Sequence, residues 1–480
     1  IAEDENFASS LSKSLTEVDG AELEVSVYTA LRDFCEKLSP DLSGLGDPVQ
    51  GIVSQSGKSA AIISLGDQQS SSSSGFSVDE TVSRVSDLDL LYRCATLYPS
   101  LDVILATEGG FEISDRLDSQ TGPTTHAAIG YVRSANHESE SSLWRIIDLD
   151  RNWSRQQSAL QLGRLAQRKY EAIPEIVSRE GSDYYWDLDR IAPSSTTSRR
   201  YDVSEACVIS GGLGGLGLAV AERLAEKGVR NIWLLGRTDP SPIARGLIDG
   251  MMGRELNLIV CKVDIEEQDQ VAEVFTKINE AGHVCTGIYH CAGVVDDRPA
   301  GGNSRSGIAT VIRPKLLGAH YLDQFSSDHQ LREFVLFSSV AAAFGNAGQT
   351  AYSAANAAMM SIAERRVSRG LPVTLIDWGP WNDVGMAARR GPELLAYLSQ
   401  QGYRPIENRA ALGLMEQAIG DRHVSVIAAG FRSSNVESTS RIETPKGRSS
   451  DGQSQSTDFT NRLIEMKKED RVDTLSEYLL

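Results

Sequence analysis

Apolar positions divide the chain into two stretches of unequal clarity. Beyond residue 200, short β-branched and aliphatic runs recur at 206–210, 231–235, 258–263, 287–290, 334–338 and 372–377, and helical patterns such as 218–227 lie between them. Continuous apolar strands alternating with helices predict a doubly wound parallel sheet covered on both faces, an α/β fold. Before residue 195 the alternation is weaker, with strands predicted at 60–65, 102–106 and 144–149 and helices at 25–38 and 160–169. No glycine-rich phosphate loop occurs there, so this half reads as structural.

Low-complexity stretches punctuate the pattern. Ser70 to Ser74 are five consecutive serines, a surface loop, and 431–457 is rich in Ser, Thr and Gly with few apolar residues, a linker. Residues 458–480 place apolar side chains at 459, 463, 466, 472, 475 and 479 among charges, the spacing of an amphipathic helix with Asp458 as N-cap. One reading of that helix is a segment docked on the domain before it. The 480 residues exceed one ordinary core. The expected division is a structural unit at 1–200, a catalytic unit at 201–430, the linker, and the terminal helix.

Charge narrows the partners. A net charge of −18, from 65 acidic and 47 basic residues, argues against binding nucleic acid or an anionic membrane, and a solvated acidic surface accounts for it. No apolar run approaches the roughly 20 residues of a bilayer span. The six cysteines form no CxxC and no close pair with histidine, so neither a metal site nor a disulfide framework is expected, and a reducing cytoplasm fits. The first residue is Ile, which suggests a piece of a longer chain.

Two motifs carry chemistry. Gly211, Gly212, Leu213, Gly214, Gly215, Leu216 and Gly217 follow a strand and open a helix, satisfying GxGxxG at 212, 214 and 217. Such a loop lets backbone N–H groups approach a pyrophosphate seated on the helix N-terminus, so a dinucleotide is expected. The second strand ends on Arg237, where an acidic residue would hold a ribose hydroxyl. An Arg offers donors to a 2′-phosphate and favours NADPH, or is simply solvated at a strand end. Asp264, followed by Ile265, either reaches the adenine or closes a turn, and Ala292 and Gly293 are small enough to let a cofactor lie close.

The second motif joins Ser339, Tyr352 thirteen residues later and Asn356 one helical turn beyond. Reducing a ketone needs a proton on oxygen, and a free tyrosine, with a pKa of ~10, gives one up more readily beside a cation. The Lys usual four residues after such a Tyr is absent, and Lys315 supplies the charge instead. Ser339 polarises the carbonyl, Lys315 lowers the Tyr352 pKa, and Asn356 orients Lys315 or a water chain that resupplies the proton.

Together with the Asp377-Trp-Gly-Pro-Trp381 run, these residues resemble the ketoreductase domain of a modular polyketide synthase, in the short-chain dehydrogenase/reductase superfamily. Lys and Asn are exchanged in that family, matching Lys315 and Asn356. Residues 130–138 and 144–150 resemble its structural subdomain, which implies a truncated Rossmann-like fold without cofactor for the first half. The resemblance implies reduction of a β-ketoacyl thioester on an acyl carrier protein by NADPH, beside neighbouring megasynthase domains. The 458–480 helix is similar to the lead-in to a carrier domain, although no phosphopantetheine attachment site is recognisable here.

Stereochemistry is implied by the same likeness. Val295, Asp296 and Asp297 stand where D-type members carry Leu-Asp-Asp, Gln349 where L-type members carry Trp, and Ala354 where epimerising D-type members carry Pro. A D-type, non-epimerising (B1-like) enzyme is the match. Trp381 and Met386 join the substrate side, Met386 within the 382–400 loop, which is either a lid or a sheet-edge helix. The alternative from another class is a non-catalytic scaffold domain of the same family.

Overall fold

The first half folds as a seven-stranded sheet whose strands lie side by side in chain order. In this computed structural model, the described residues are 76–97, 101–111, 121–139, 144–167, 175–180, 182–185, 188–191, 201–252, 256–382, 384 and 402–431. The backbone of 24–26, 49–55, 58–65 and 462–464 is described as well. The sheet comprises β1 (Glu24–Ser26), β2 (Val49–Gln55), β3 (Lys58–Leu65), β4 (Leu101–Glu108), β5 (Trp144–Leu149), β6 (Glu175–Arg179) and β7 (Ser182–Tyr184). Strands β3 to β6 are parallel and the outer pairings antiparallel. Helices α1 (Val78–Leu97), α2 (Pro123–Asn136) and α3 (Arg155–Gln167) connect them.

A two-residue strand, β8 (Asp189–Arg190), leads to the second sheet. That sheet holds β9 (Glu205–Ser210), β10 (Asn231–Gly236), β11 (Asn257–Lys262), β12 (Val284–His290), β13 (Glu333–Ser339) and β14 (Thr374–Trp378). Its helices are α4 (Gly215–Glu226), α5 (Pro242–Met252), α6 (Gln268–Glu280), α7 (Arg305–Phe325), α8 (Val340–Phe344), α9 (Thr350–Ala358), α10 (Met360–Ser368) and α11 (Asn408–Gly420). A pair, β15 (Tyr403–Arg404) with β17 (Gly430–Phe431), flanks it, and β16 (Ser425–Ala428) and β18 (Arg462–Ile464) extend it. The order is β11-β10-β9-β12-β13-β14-β16-β18-β8. All its pairings are parallel. The chain leaves β9 toward β10 and later returns to its other side with β12. This reversal opens a crevice at the carboxyl ends of β9 and β12, where doubly wound sheets bind ligands.

Two expectations are corrected. Glu24–Ser26, at the start of the helix expected at 25–38, is a strand on β2; the rest of that stretch lies outside the described residues. Within the helix expected at 458–480, Arg462–Ile464 is instead a strand parallel to β16 and β8. The open edge of β16 offers unpaired backbone groups, and adjacent Leu463 and Ile464 suit a strand as well as a helix. Ser70 to Ser74, Met386 with most of the 382–400 loop, and the linker beyond residue 431 lie outside the described residues.

The two halves share one core. Val85, Leu88, Tyr131 and Trp144 from the first cluster with Ile308, Leu316, Tyr352 and Ala355 from the second. Helix α2 is the junction. It opens with Pro at its first position, where the missing N–H costs nothing, and is buried along most of its length. Small residues let it approach α9 closely: a Cβ on Gly130 would lie 2.6 Å from the Ser353 carbonyl oxygen.

Candidate active site

The glycine loop sits between β9 and α4, at the crevice. Gly211 has φ +67°, and a Cβ there would stand 2.8 Å from the Ala292 backbone nitrogen, so no larger residue fits. Gly214 caps α4 without a side chain, leaving the first helical N–H groups open to an anion. The loop borders a cleft of about 460 Å³, lined also by Arg237, Ile265, Ala292, Gly293, Val295, Lys315, Ser339, Gln349, Tyr352 and Trp381.

Arg237, at the end of β10, is exposed at this cleft, and its charge acts on Glu266, whose carboxyl burial pushes up. Of the two readings of Asp264, the structure forms the turn. Its Oδ1 accepts from Glu266 N at 3.1 Å, and Asp264 is not among the cleft-lining residues whereas Ile265 is.

Lys315 reaches the cleft from α7, next to Pro314. Its Nζ donates to the Phe337 carbonyl oxygen at 2.6 Å. Burial lowers its pKa to about 8, with Cys291 and Asp377 pulling the other way. A strap fixes its backbone: His290 Nε2 lies 2.9 Å from the Lys315 carbonyl oxygen and Nδ1 2.6 Å from Ser210 Oγ. Burial, and secondarily Lys315, hold His290 down at about 3. The neutral ring therefore donates from Nε2 and accepts the Ser210 hydroxyl at Nδ1. Beneath, the Asp377 carboxyl is pushed up to about 7 by burial, against Ser338, Arg133 and Lys315, and its Oδ1 has no hydrogen-bond partner.

Ser339 ends β13 and caps α8, accepting from Ala341 N at 3.2 Å. Tyr352 stands in the first turn of α9. Its hydroxyl is pushed up to about 12, chiefly by burial; Ser339 and Asn356 oppose that shift and Asp297 adds to it. Two expectations change here. Lys315 is not among the groups that move Tyr352, so the site raises rather than lowers its pKa. Nor does Asn356 hold Lys315: its Nδ2 donates to the Tyr352 carbonyl oxygen at 2.8 Å and its Oδ1 is unpartnered.

On the substrate side, Val295 lines the cleft while Asp296 turns outward to Arg298, at 3.0 Å. Gln349 Nε2 donates to Asp297 Oδ1 at 3.1 Å, tying the two positions singled out for stereochemistry. Trp381 is buried edge-on against Trp378, ring centroids 5.0 Å apart, and the indole nitrogens of both are unpartnered.

The cleft thus brings together Tyr352, Ser339, Lys315, most of the glycine loop, Arg237, Ile265, Ala292, Gly293, Val295, Gln349 and Trp381. Gly212 lies behind the loop, where a Cβ would press 2.7 Å from the Ile209 carbonyl oxygen. Sequence reasoning assigned no role to His290, Asp377 or the Phe337 carbonyl. A His and an Asp ending apolar strands were the available signals; a backbone carbonyl leaves none.

Comparison with known proteins agrees with this geometry. Residues 206–383 match the family model described as KR domain. The chain is 31% identical over 362 residues to naringenin synthase of Pestalotiopsis fici, covering 73% of this chain and 13% of that protein. It is 30% identical over 332 residues to polyketide synthase GfsB of Streptomyces halstedii, covering 68% and 6%. The chain therefore spans only a small part of these curated relatives. Among solved structures, A-type ketoreductases from a modular polyketide synthase superpose with a TM-score of 0.65 at 28% identity, over 70% of this chain and 71% of theirs. The first ketoreductase of the tylosin polyketide synthase gives 0.67 at 26%, over 87% and 85%. Residues 206–383 thus match the KR family model, in a chain whose fold is like that of polyketide synthase ketoreductases.

Proposed function

We propose that this chain reduces a β-ketoacyl thioester, carried on an acyl carrier protein, to the D-β-hydroxyacyl thioester with NADPH, within a cytoplasmic megasynthase. The observation that carries the reading is the convergence of Tyr352, Ser339 and Lys315 with the glycine loop on one cleft. The residues present fit the cofactor: the glycine loop lines the cleft, and the open N-terminus of α4 adjoins it. The loop N–H groups would hold the pyrophosphate, Arg237 the 2′-phosphate and Ile265 the adenine, while Ala292 and Gly293 permit close approach. When bound, the reduced nicotinamide supplies a hydride for the carbonyl carbon.

Everything else falls to side chains of this chain. The Ser339 hydroxyl donates to the ketone oxygen and polarises the carbonyl. Tyr352, still protonated far above neutrality, donates the proton that completes the alcohol. The Lys315 cation offsets the tyrosinate left behind, and the unpartnered Asn356 Oδ1 accepts from water returning the proton. Gln349 and Asp297 support the D product, since position 349 lacks the Trp associated with the L product. Tyr352→Phe should slow reduction of a β-ketoacyl thioester about 10²- to 10⁴-fold while NADPH binding, followed by fluorescence, stays intact. Unchanged turnover would overturn the mechanism, and absence of NADPH binding by the native chain would favour a scaffold.

A further inference from the structure

Two carboxylates of the cofactor-free half reach into the segments that wall the substrate side of the cleft. Glu138, two residues past the end of α2, is half-buried. Its Oε1 accepts from Gly348 N at 2.9 Å and its Oε2 from Ala300 N at 2.7 Å. Asp89, on α1, is only 1% exposed. Its Oδ1 accepts from Gly301 N at 2.9 Å, Asn303 Nδ2 at 2.7 Å and the Tyr131 hydroxyl at 3.1 Å, and its Oδ2 from Asn303 N at 3.0 Å. Asn303 Nδ2 also reaches Thr350 Oγ1 at 3.2 Å.

The two segments held from behind are joined in front. Arg298 N donates to the Gly348 carbonyl oxygen at 2.9 Å, and Gln349 Nε2 to Asp297 Oδ1 at 3.1 Å. Glu138 is the one described carboxylate bonded to backbone N–H groups of both segments, one oxygen to each. Asp89 grips the 301–303 turn directly and the second segment only through Asn303. Hydrogen bonds to an ionised carboxylate are short and strong, so an acceptor with two anchored oxygens acts as a spacer of fixed length. Lengthening either bond would let 298–300 and 348–349 separate, and with them the Asp297–Gln349 pair.

We infer that Glu138 is a positioning residue of the reductase: its carboxylate fixes the spacing of Asp297 and Gln349, and thereby which face of the ketone meets the hydride. The inference rests on the reductase reading above. It gives the cofactor-free half a share in specificity, through contacts more than 160 residues apart in sequence.

The test is Glu138→Gln, which keeps the shape but turns an amide NH₂ toward one of the two backbone donors. Three quantities are read: the D-to-L ratio of the β-hydroxyacyl product, KM against kcat for the thioester, and hydrogen exchange of 298–303 and 346–350. The expected result is a ratio eroded roughly 10- to 100-fold, the upper figure being what a misplacement of about 1 Å can cost. A raised thioester KM, unchanged NADPH affinity and faster exchange at the Ala300 and Gly348 amides accompany it. A native product ratio together with native exchange would overturn the inference. Glu138→Asp, which keeps the charge but is too short to span both segments, should act in the same direction and serves if the Gln variant fails to fold. If the native chain reduces no β-ketoacyl thioester, the reductase reading falls. Exchange then judges the spacer alone: lost protection in both segments upholds it, and unaltered protection refutes it.

Discussion

Lys315 offers the sharpest quantitative test, because its ionisation and its proposed role make opposite demands. The ammonium is only 4% exposed and donates to the Phe337 carbonyl oxygen at 2.6 Å. Burial takes its pKa from 10.5 to about 8, roughly 3 kcal/mol against the cation at about 1.4 kcal/mol per unit. The proposed reaction needs that cation beside the departing proton. Since Tyr352 stays neutral to about 12, Lys315 alone sets the upper limb of the pH–rate profile. Measured as kcat/KM for NADPH at saturating thioester, which reports ionisations of the cofactor-free enzyme, activity should hold below pH 8 and fall about tenfold per unit above it. Asp377 is one of the groups that raise Lys315, so Asp377→Asn should move the limb to lower pH. Lys315→Arg, charged throughout the range, should erase it whatever rate remains. A profile flat to pH 10 in the native chain, or a limb that survives Lys315→Arg, would refute the reasoning.

Two further outcomes are expected. Arg237→Ala should raise the Kd for NADPH about 10- to 100-fold, the loss of one or two charge-assisted hydrogen bonds, and leave NADH nearly unaffected; equal losses for both would remove Arg237 from the 2′-phosphate. Chiral separation of the product from a defined β-ketoacyl thioester should give the D-hydroxy form, and an L-hydroxy product would refute the assignment from Asp297 and Gln349.

The parts legible in the sequence were those written locally. The strands at 206–210 and 231–235 are continuous apolar runs because both sheet faces are covered there, and with the partly exposed edge strand at 258–263 they appear within a residue or two of the expected bounds as β9, β10 and β11. The glycine loop was legible for the same reason: steric demands such as that at Gly211 fall within one turn of chain. Local patterns that suit two structures were misjudged. Leu463 and Ile464 fit an amphipathic helix by spacing, and an unpaired sheet edge made them a strand.

What the sequence did not disclose is how the site is held, because its supports come from distant residues. Lys315 was legible as a displaced cation, yet its carbonyl is fixed by His290 and its Nζ by the Phe337 backbone, 25 and 22 residues away along the chain. The Tyr352 pKa was expected to fall because charge was counted and burial was not, and burial is the larger effect. The same limit applies to the division into a structural and a catalytic half. Ser134 on α2 donates to Ser353, the neighbour of Tyr352, at 2.6 Å, and accepts from Asn346 N at 3.0 Å. Arg133 donates to the Ala342 carbonyl oxygen at 2.8 Å while its other nitrogens hold Glu175. One face of α9 and the loop before it are therefore built on a helix of the other half. Removing that half would expose the apolar side of α9 and release the segment between Ser339 and Tyr352. The geometry of the cleft belongs to both halves together.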